Sequence, residues 1–260
     1  MRTETASLPG DPEHPNEDWV AAAAPVSGRG GVLVVLDGVT PPSADVGCTH
    51  PVPWFTARLG GALTELSASR PDLTLAEILA EAIRRTADSH SPACDLSHVR
   101  TPQATVALAR WDAETVEHLV LSDAVVLLES PGGGVRAVRD GRLDLVPPEV
   151  LRSHAATDRL RNAEGGFFTA AADPAVAARA VTGVTPRSEV RAVAALSDGA
   201  ARWVELFGEG DWGDCVGVLR REGPRSLLDR VRALEARDAG TGGKRLRKRH
   251  DDATAVYAEL

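Results

Sequence analysis

Apolar residues along the first forty positions fall into short blocks. Asp18 to Val26 is apolar and extended in character, Ser27 to Gly31 is a Ser-Gly-Arg-Gly-Gly turn, and Val32 to Leu36 is an unbroken Val/Leu run. Two short apolar runs joined by a Gly-rich turn predict a β-hairpin, and the β-branched valines favour the extended state. The second run ends in Asp37-Gly38, which delivers a carboxylate at the end of a strand. The spacing then changes. Phe55, Leu59, Leu63 and Leu66 predict a helix over 54–69, and Ile78, Leu79, Ala82 and Ile83 a second over 75–87, joined by Arg70-Pro71-Asp72.

Strand character returns over 104–109, 116–121, 125–128 and 135–138, with turn-like connections at Trp111-Asp112-Ala113-Glu114 and Pro131 to Gly134. This reads as a meander of antiparallel strands. Residues 141–187 are punctuated by Pro147, Pro148, Gly165, Gly166, Pro174 and Pro186, and read as an excursion carrying one or two short helices. A strand over 190–196 delivers Ser197-Asp198-Gly199. Helices over 200–207, 212–221 and 225–236, a Gly- and Lys/Arg-rich loop over 240–249, and a strand running from Asp251-Asp252-Ala253-Thr254 to Leu260 complete the chain. Residues 1–15, polar and holding Pro9, Pro12 and Pro15, read as a loose lead-in to one domain over 16–260. Strands come in hairpins and helices in pairs, so a doubly wound parallel sheet is not expected.

The 260 residues are 43% hydrophobic and 25% charged, enough apolar material to form a core and too much for a disordered chain. A net charge of −8 argues against general nucleic-acid binding. No apolar run approaches the ~20 residues of a membrane span, and no secretory leader is evident, so a cytoplasmic location is expected. Cys48, Cys94 and Cys215 form no CxxC pair and are odd in number, which suits a reducing compartment; they read as small, partly buried hydrophobes. His50, His90, His98, His118 and His154 are scattered without metal-ligand spacing and read as structural or exposed.

One pattern carries chemistry. Acidic residues sit where apolar strands begin or end: Glu17-Asp18, Asp37-Gly38, Asp123, Asp198-Gly199 and Asp251-Asp252. Carboxylates gathered at one sheet edge repel unless a cation compensates, and hard divalent cations such as Mg²⁺ and Mn²⁺ prefer oxygen ligands.

In order, Asn16-Glu17-Asp18, Leu36-Asp37-Gly38, Leu121-Ser122-Asp123, Leu196-Ser197-Asp198-Gly199 and Asp251-Asp252-Ala253-Thr254 resemble the motifs of the PP2C-type (PPM) metal-dependent protein phosphatases over residues 13–260. The resemblance implies an α+β fold, a four-layer α-β-β-α sandwich of two mainly antiparallel sheets, with 141–187 as the family's variable flap. It implies two Mn²⁺ or Mg²⁺ ions sharing a water that attacks a phosphomonoester, and a phosphoserine or phosphothreonine protein as substrate. Asp37 would bridge both metals with the Gly38 carbonyl on one; Asp18 would bind one ion with Glu17 nearby; Asp198 and Asp251 would hold the other, with Asp252 in support. Asp123 matches an aspartate that helps bind a third metal.

The match fails where substrate is gripped. The family's phosphate-binding Arg, five residues before the NED aspartate, is here Glu13, with His14 beside it. The loop after Asp37-Gly38 continues Val39-Thr40-Pro41-Pro42 rather than Met-Gly-Gly-His. Candidate replacements for the lost anchor are His14, Arg202 and the basic segment ending Lys248-Arg249-His250. Two other functions compete: a PP2C-like module that binds phosphoprotein with weak or no turnover, and a haloacid-dehalogenase-type phosphatase with Asp37 as nucleophile. The latter expects a second Asp where Val39 stands, and alternating strands and helices. Oligomeric state is not legible in the sequence.

Overall fold

The computed structural model describes residues 2–25, 29–42, 46–240 and 249–260. In chain order its main elements are β1 (Arg2–Leu8), β2 (Trp19–Ala23), β3 (Gly31–Gly38), α1 (Val52–Ser69), α2 (Leu75–Asp88), β4 (Ala104–Trp111), β5 (Thr115–Leu121), β6 (Val125–Glu129) and β7 (Val135–Arg139). There follow α3 (Pro148–Leu151), α4 (His154–Leu160), β8 (Val181–Pro186), β9 (Ala192–Leu196), α5 (Asp198–Glu205), α6 (Trp212–Glu222), α7 (Pro224–Gly240) and β10 (Ala253–Glu259).

Two five-stranded sheets form, ordered β1-β10-β9-β6-β7 and β2-β3-β4-β5-β8, and every pairing is antiparallel. Strand alternation sorts the core into layers. On β3, Val32, Val34 and Leu36 pack against α1 and α2 with Phe55, Leu59, Leu63, Ile78 and Ile83. The alternate residues Leu33 and Val35 face the other sheet, where they join Val126, Val193 and Val256. That sheet's outer face (Leu127, Ala194, Leu196, Tyr257) is covered by Leu219 of α6 and Leu227 and Val231 of α7. The architecture is therefore helix, sheet, sheet, helix. Asp37 is in phase with Leu33 and Val35, so its side chain emerges where the seam between the sheets opens.

Local signals explain the element starts. Pro53 lies in the first turn of α1, where its missing N–H costs nothing. Thr74 and Glu77 form a capping box on α2, and Asp211 and Asp214 form one on α6.

Three sequence expectations are corrected. Residues 2–8 are not a loose lead-in: β1 pairs with β10 along its length, from Arg2 opposite Glu259 to Leu8 opposite Ala253. The strands over 104–138 are not one meander: β4 and β5 belong to one sheet and β6 and β7 to the other, and the chain crosses between sheets at Ser122 to Ala124. The 141–187 excursion holds α3 and α4 as expected, and also β8, which pairs with β5. The basic loop over 241–248, including Lys248, lies outside the described residues.

Candidate metal centre

The two sheets end together at one edge, and the acidic residues lie there. Asp37 closes β3, Asp198 follows β9, and Asp251 and Asp252 precede β10. Asp123 occupies the crossover, where Ser122 adopts φ 67. A left-handed conformation is uncommon for a non-glycine residue and costs about 1 kcal/mol; the buried Asp140 carboxylate accepts the Ser122 N–H at 3.1 Å and holds it.

Close backbone approach lets the acidic segments meet. A Cβ on Gly199 would sit 2.0 Å from the Asp252 carbonyl oxygen, and one on Gly38 would sit 2.7 Å from that of Glu17. Side chains sew the same segments together. Thr254 N–H donates to Ser197 Oγ at 2.9 Å and Ser197 N–H to the Thr254 carbonyl at 2.9 Å, which sets Asp198 beside Asp251 and Asp252. Asp252 accepts the Gly10 N–H at 2.7 Å on Oδ1 and the Glu17 N–H at 2.7 Å on Oδ2. Its carboxylate thus anchors the Glu17-Asp18 segment, and Thr40 Oγ1 donates to Glu17 Oε2 at 2.5 Å.

The remaining carboxylates are poorly compensated. Both Asp18 oxygens and Asp123 Oδ1 are buried with no hydrogen-bond partner among the described residues. Burial, then repulsion from Asp198 and Asp252, raises Asp18 to about 7, with the Thr254 and Ser197 hydroxyls nearby opposing the rise. Burial together with Asp123 and Asp251 raises Asp198 to about 7, against Arg202 and a proton shared with Asp37. Asp37 lies well above the usual carboxylate range through burial and the charges of Asp198, Asp18, Asp123 and Asp251. Burial likewise raises Asp123. Orphaned, mutually repelling carboxylate oxygens are the environment of a hard divalent cation. The residues present therefore fit Mn²⁺ or Mg²⁺.

Asp251 is held differently. Arg202 donates to its Oδ2 at 2.8 Å and to Glu235 Oε1 at 2.6 Å. Glu235, fully buried on α7, also takes Arg232 at 2.7 Å and His250 Nδ1 at 2.9 Å. Arg232 donates in turn to the Asp251 carbonyl at 2.6 Å. Arg202, expected to touch substrate, is thus committed to fixing Asp251. Phe207 lies beyond it at the end of α5, while Trp203 and Trp212 pack into or against the core under that sheet.

Two clefts flank the acidic edge and meet at Thr40 and Asp251. One, of about 500 Å³, is lined by His14, Glu17, Arg249, His250, Asp251 and Asp252. The His14 side chain is 80% exposed and its nearest charged neighbour is Asp11 at 3.9 Å. The other, of about 220 Å³, runs from Asp37, Gly38, Asp123 and Asp251 to Leu151, Arg161 and Phe167 of the excursion. Arg161 is the residue that sequence reasoning missed. Its guanidinium lies 5.1 Å over the Phe167 ring. Among the described residues it makes no hydrogen bond or ion pair, and burial lowers its pKa, opposed by Asp158 and Asp123. No spacing rule marks it, because only the folding of 148–170 back over the sheet edge brings it to Asp123.

No family profile matches the chain, and no curated protein matches it. Solved structures do. Residue for residue, 100% of the chain aligns with 95% of the serine/threonine phosphatase Stp1 from Staphylococcus aureus at 11% identity and TM-score 0.59. It aligns with 98% of the Mycobacterium tuberculosis serine/threonine phosphatase PstP/Ppp at 18% identity and TM-score 0.60. RsbX, solved in complex with magnesium, aligns over 94% of its length at 12% identity and TM-score 0.52. The chain has the PP2C-type phosphatase fold, as its ordered acidic motifs implied.

Proposed function

We propose that the protein is a divalent-metal-dependent phosphomonoester hydrolase of the PP2C type acting on phosphoserine or phosphothreonine in proteins. The observation that carries this reading is the orphaned carboxylate set at the sheet edge, with both Asp18 oxygens and Asp123 Oδ1 buried and unpartnered among the described residues, beside Asp37 and Asp198. Asp18, Asp37, Asp198 and Asp251, with the Gly38 carbonyl, would hold two Mn²⁺ or Mg²⁺ ions, and Asp123 would contribute to a third. Bound there, such ions supply Lewis-acid activation of water and neutralise phosphoryl charge.

The chain's own residues do the rest. Arg202 and Arg232 fix Asp251 through Glu235. Asp252 fixes the segment carrying Asp18. Arg161 grips the substrate phosphate from the flap side of the smaller cleft, replacing the anchor that Glu13 cannot provide, because a forked guanidinium matches phosphate geometry. His14 and Arg249 line the larger cleft and contact the peptide flanking the phosphorylated residue. The haloacid-dehalogenase alternative does not survive the topology, since β3 runs antiparallel to both neighbours.

The test is hydrolysis of a phosphothreonine peptide and of p-nitrophenyl phosphate with Mn²⁺, Mg²⁺ or EDTA, for wild type, Asp198→Ala and Arg161→Ala. Metal-dependent turnover abolished by Asp198→Ala is expected. Loss of one charge-assisted contact of about 1.5–3 kcal/mol predicts a roughly 10- to 100-fold lower kcat/KM for Arg161→Ala. Absence of turnover with every metal, in a chain that still binds Mn²⁺, would instead favour a phosphoprotein-binding module.

A further inference from the structure

Cys48, His50, His90 and Cys94 read as isolated residues in the sequence, but the fold brings them together. Cys48 and His50 lie in the connection just before α1, and His90 and Cys94 just after α2. The two helices pack as an antiparallel pair, so the start of one adjoins the end of the other. The four donor atoms all lie within 4.8 Å of one another. Cys48 Sγ is 3.2 Å from Cys94 Sγ, 3.3 Å from His90 Nδ1 and 3.5 Å from His50 Nδ1; Cys94 Sγ is 3.5 Å from His50 Nδ1. A tetrahedral zinc site, with bonds of about 2.3 Å to sulfur and 2.0–2.1 Å to nitrogen, has donor–donor edges of roughly 3.3–3.8 Å. The cluster approaches that size, and opening its edges by about half an ångström admits the ion.

The surroundings are those of a built site. The His50 ring stacks on Trp54 with centroids 3.9 Å apart and planes at 19°, and the His90 ring meets Trp54 edge-on at 4.9 Å. Both imidazoles are therefore oriented by one indole. His50 N–H donates to Cys48 Sγ at 3.3 Å, and Thr49 Oγ1 lies 3.6 Å from Cys94 Sγ; donors of this kind support thiolate ligands. The third cysteine, Cys215, is fully buried on α6 and has no part in the cluster.

We propose that Cys48, His50, His90 and Cys94 form a structural Cys₂His₂ zinc site, separate from the acidic centre, that staples the β3–α1 connection to the end of α2. Two thiolates and two imidazoles suit a borderline-soft ion and not the hard cations suited to the carboxylates. Four protein donors leave no open position, so the site is structural. Its consequence is positional. The connection it closes begins at Val39 and Thr40, which line the acidic cleft, where the PP2C-type pattern has Met-Gly-Gly-His. The proposal stands whether or not the cleft hydrolyses phosphate.

The experiment is elemental analysis of full-length protein purified under reducing conditions, with Co²⁺ substitution as a spectroscopic readout. Wild type, Cys215→Ser and Asp37→Asn are expected to retain about one zinc per chain, and Cys48→Ser and Cys94→Ser less than about a tenth of that. Co²⁺-loaded wild type is expected to show thiolate charge-transfer and tetrahedral d–d absorption. His90→Cys keeps four donors, so it should retain the ion with stronger charge transfer, which separates ligation from general misfolding. Zinc lost with Asp37→Asn but kept with Cys94→Ser would overturn the proposal, as would a Co²⁺ spectrum without thiolate bands. A metal-free wild type holding a Cys48–Cys94 disulfide would overturn it equally.

Discussion

Replacing Glu235 with Gln tests whether the acidic edge is held by a buried charge on α7. Glu235 is fully buried and accepts from Arg202 at 2.6 Å, Arg232 at 2.7 Å and His250 at 2.9 Å. The substitution keeps the shape but removes the charge that Arg202, whose side chain is 11% exposed, shares with Asp251. Breaking a buried pair costs about 3–5 kcal/mol. The lower end applies, because the amide oxygen still accepts one hydrogen bond and Asp251 still pairs with Arg202. At about 2–4 °C per kcal/mol for a chain of this size, 3 kcal/mol lowers Tm by roughly 6–12 °C. Glu81 is the control: it also pairs with two arginines, at 2.7 and 2.8 Å, but on the exposed face of α2. Surface pairs contribute little, so Glu81→Gln should leave Tm within about 3 °C. Thermal unfolding by circular dichroism gives both numbers. Calorimetric Mn²⁺ titration should show a roughly 10- to 100-fold weaker affinity for Glu235→Gln, the usual cost of losing a group that orients a metal ligand. Equal Tm changes for the two variants, or Mn²⁺ affinity unchanged in Glu235→Gln, would refute the reasoning.

The metal-free chain should lose stability as pH rises. Asp18 and Asp198 are raised to about 7, so their contribution is fully present below the ordinary carboxylate value near 4 and is lost as pH climbs through about 7. Melting curves in EDTA from about pH 5 to 8 should show Tm falling, less steeply in Asp198→Asn; equal slopes would contradict the assignment. Gly199→Ala should cost about 1–3 kcal/mol and weaken Mn²⁺ binding, because its Cβ has only 2.0 Å to the Asp252 carbonyl oxygen; a variant with wild-type Tm and affinity would show that the strand ends have room to part. Truncation before Pro9 should lower Tm and slow turnover, since β1 covers β10 and Gly10 is tied to Asp252; an unchanged truncated protein would mean that β1 is dispensable.

Much of the fold was legible because its apolar periods are strong. The Val/Leu run of β3 and the helical spacing of α1 and α2 carry their own structure, and the acidic residues at the strand ends mark the site. What stayed hidden depends on distant packing. In β1 only Ala6 and Leu8 meet the core, so an edge strand held by main-chain pairing resembles a polar tail. β8, read as part of a Pro-rich excursion, exposes Val184 and relies on β5 for its hydrogen bonds. The crossover at Ser122 looks like any turn until the sheets are assigned. Arg202 has the composition of a phosphate ligand and the position of a strut, a distinction set by the buried Glu235 on another helix. Arg161 and the Cys/His cluster each need a fold-back of the chain before their partners come within reach.

The central claim is that the orphaned carboxylates form a divalent-cation site. The most direct measurement is calorimetric titration of EDTA-stripped protein with Mn²⁺, for wild type and Asp37→Asn side by side. About two ions should bind per wild-type chain, as expected for a bridged two-metal centre, and that binding should be lost in Asp37→Asn with the fold intact by circular dichroism. Equal Mn²⁺ binding by the two proteins, or none by wild type, would contradict it.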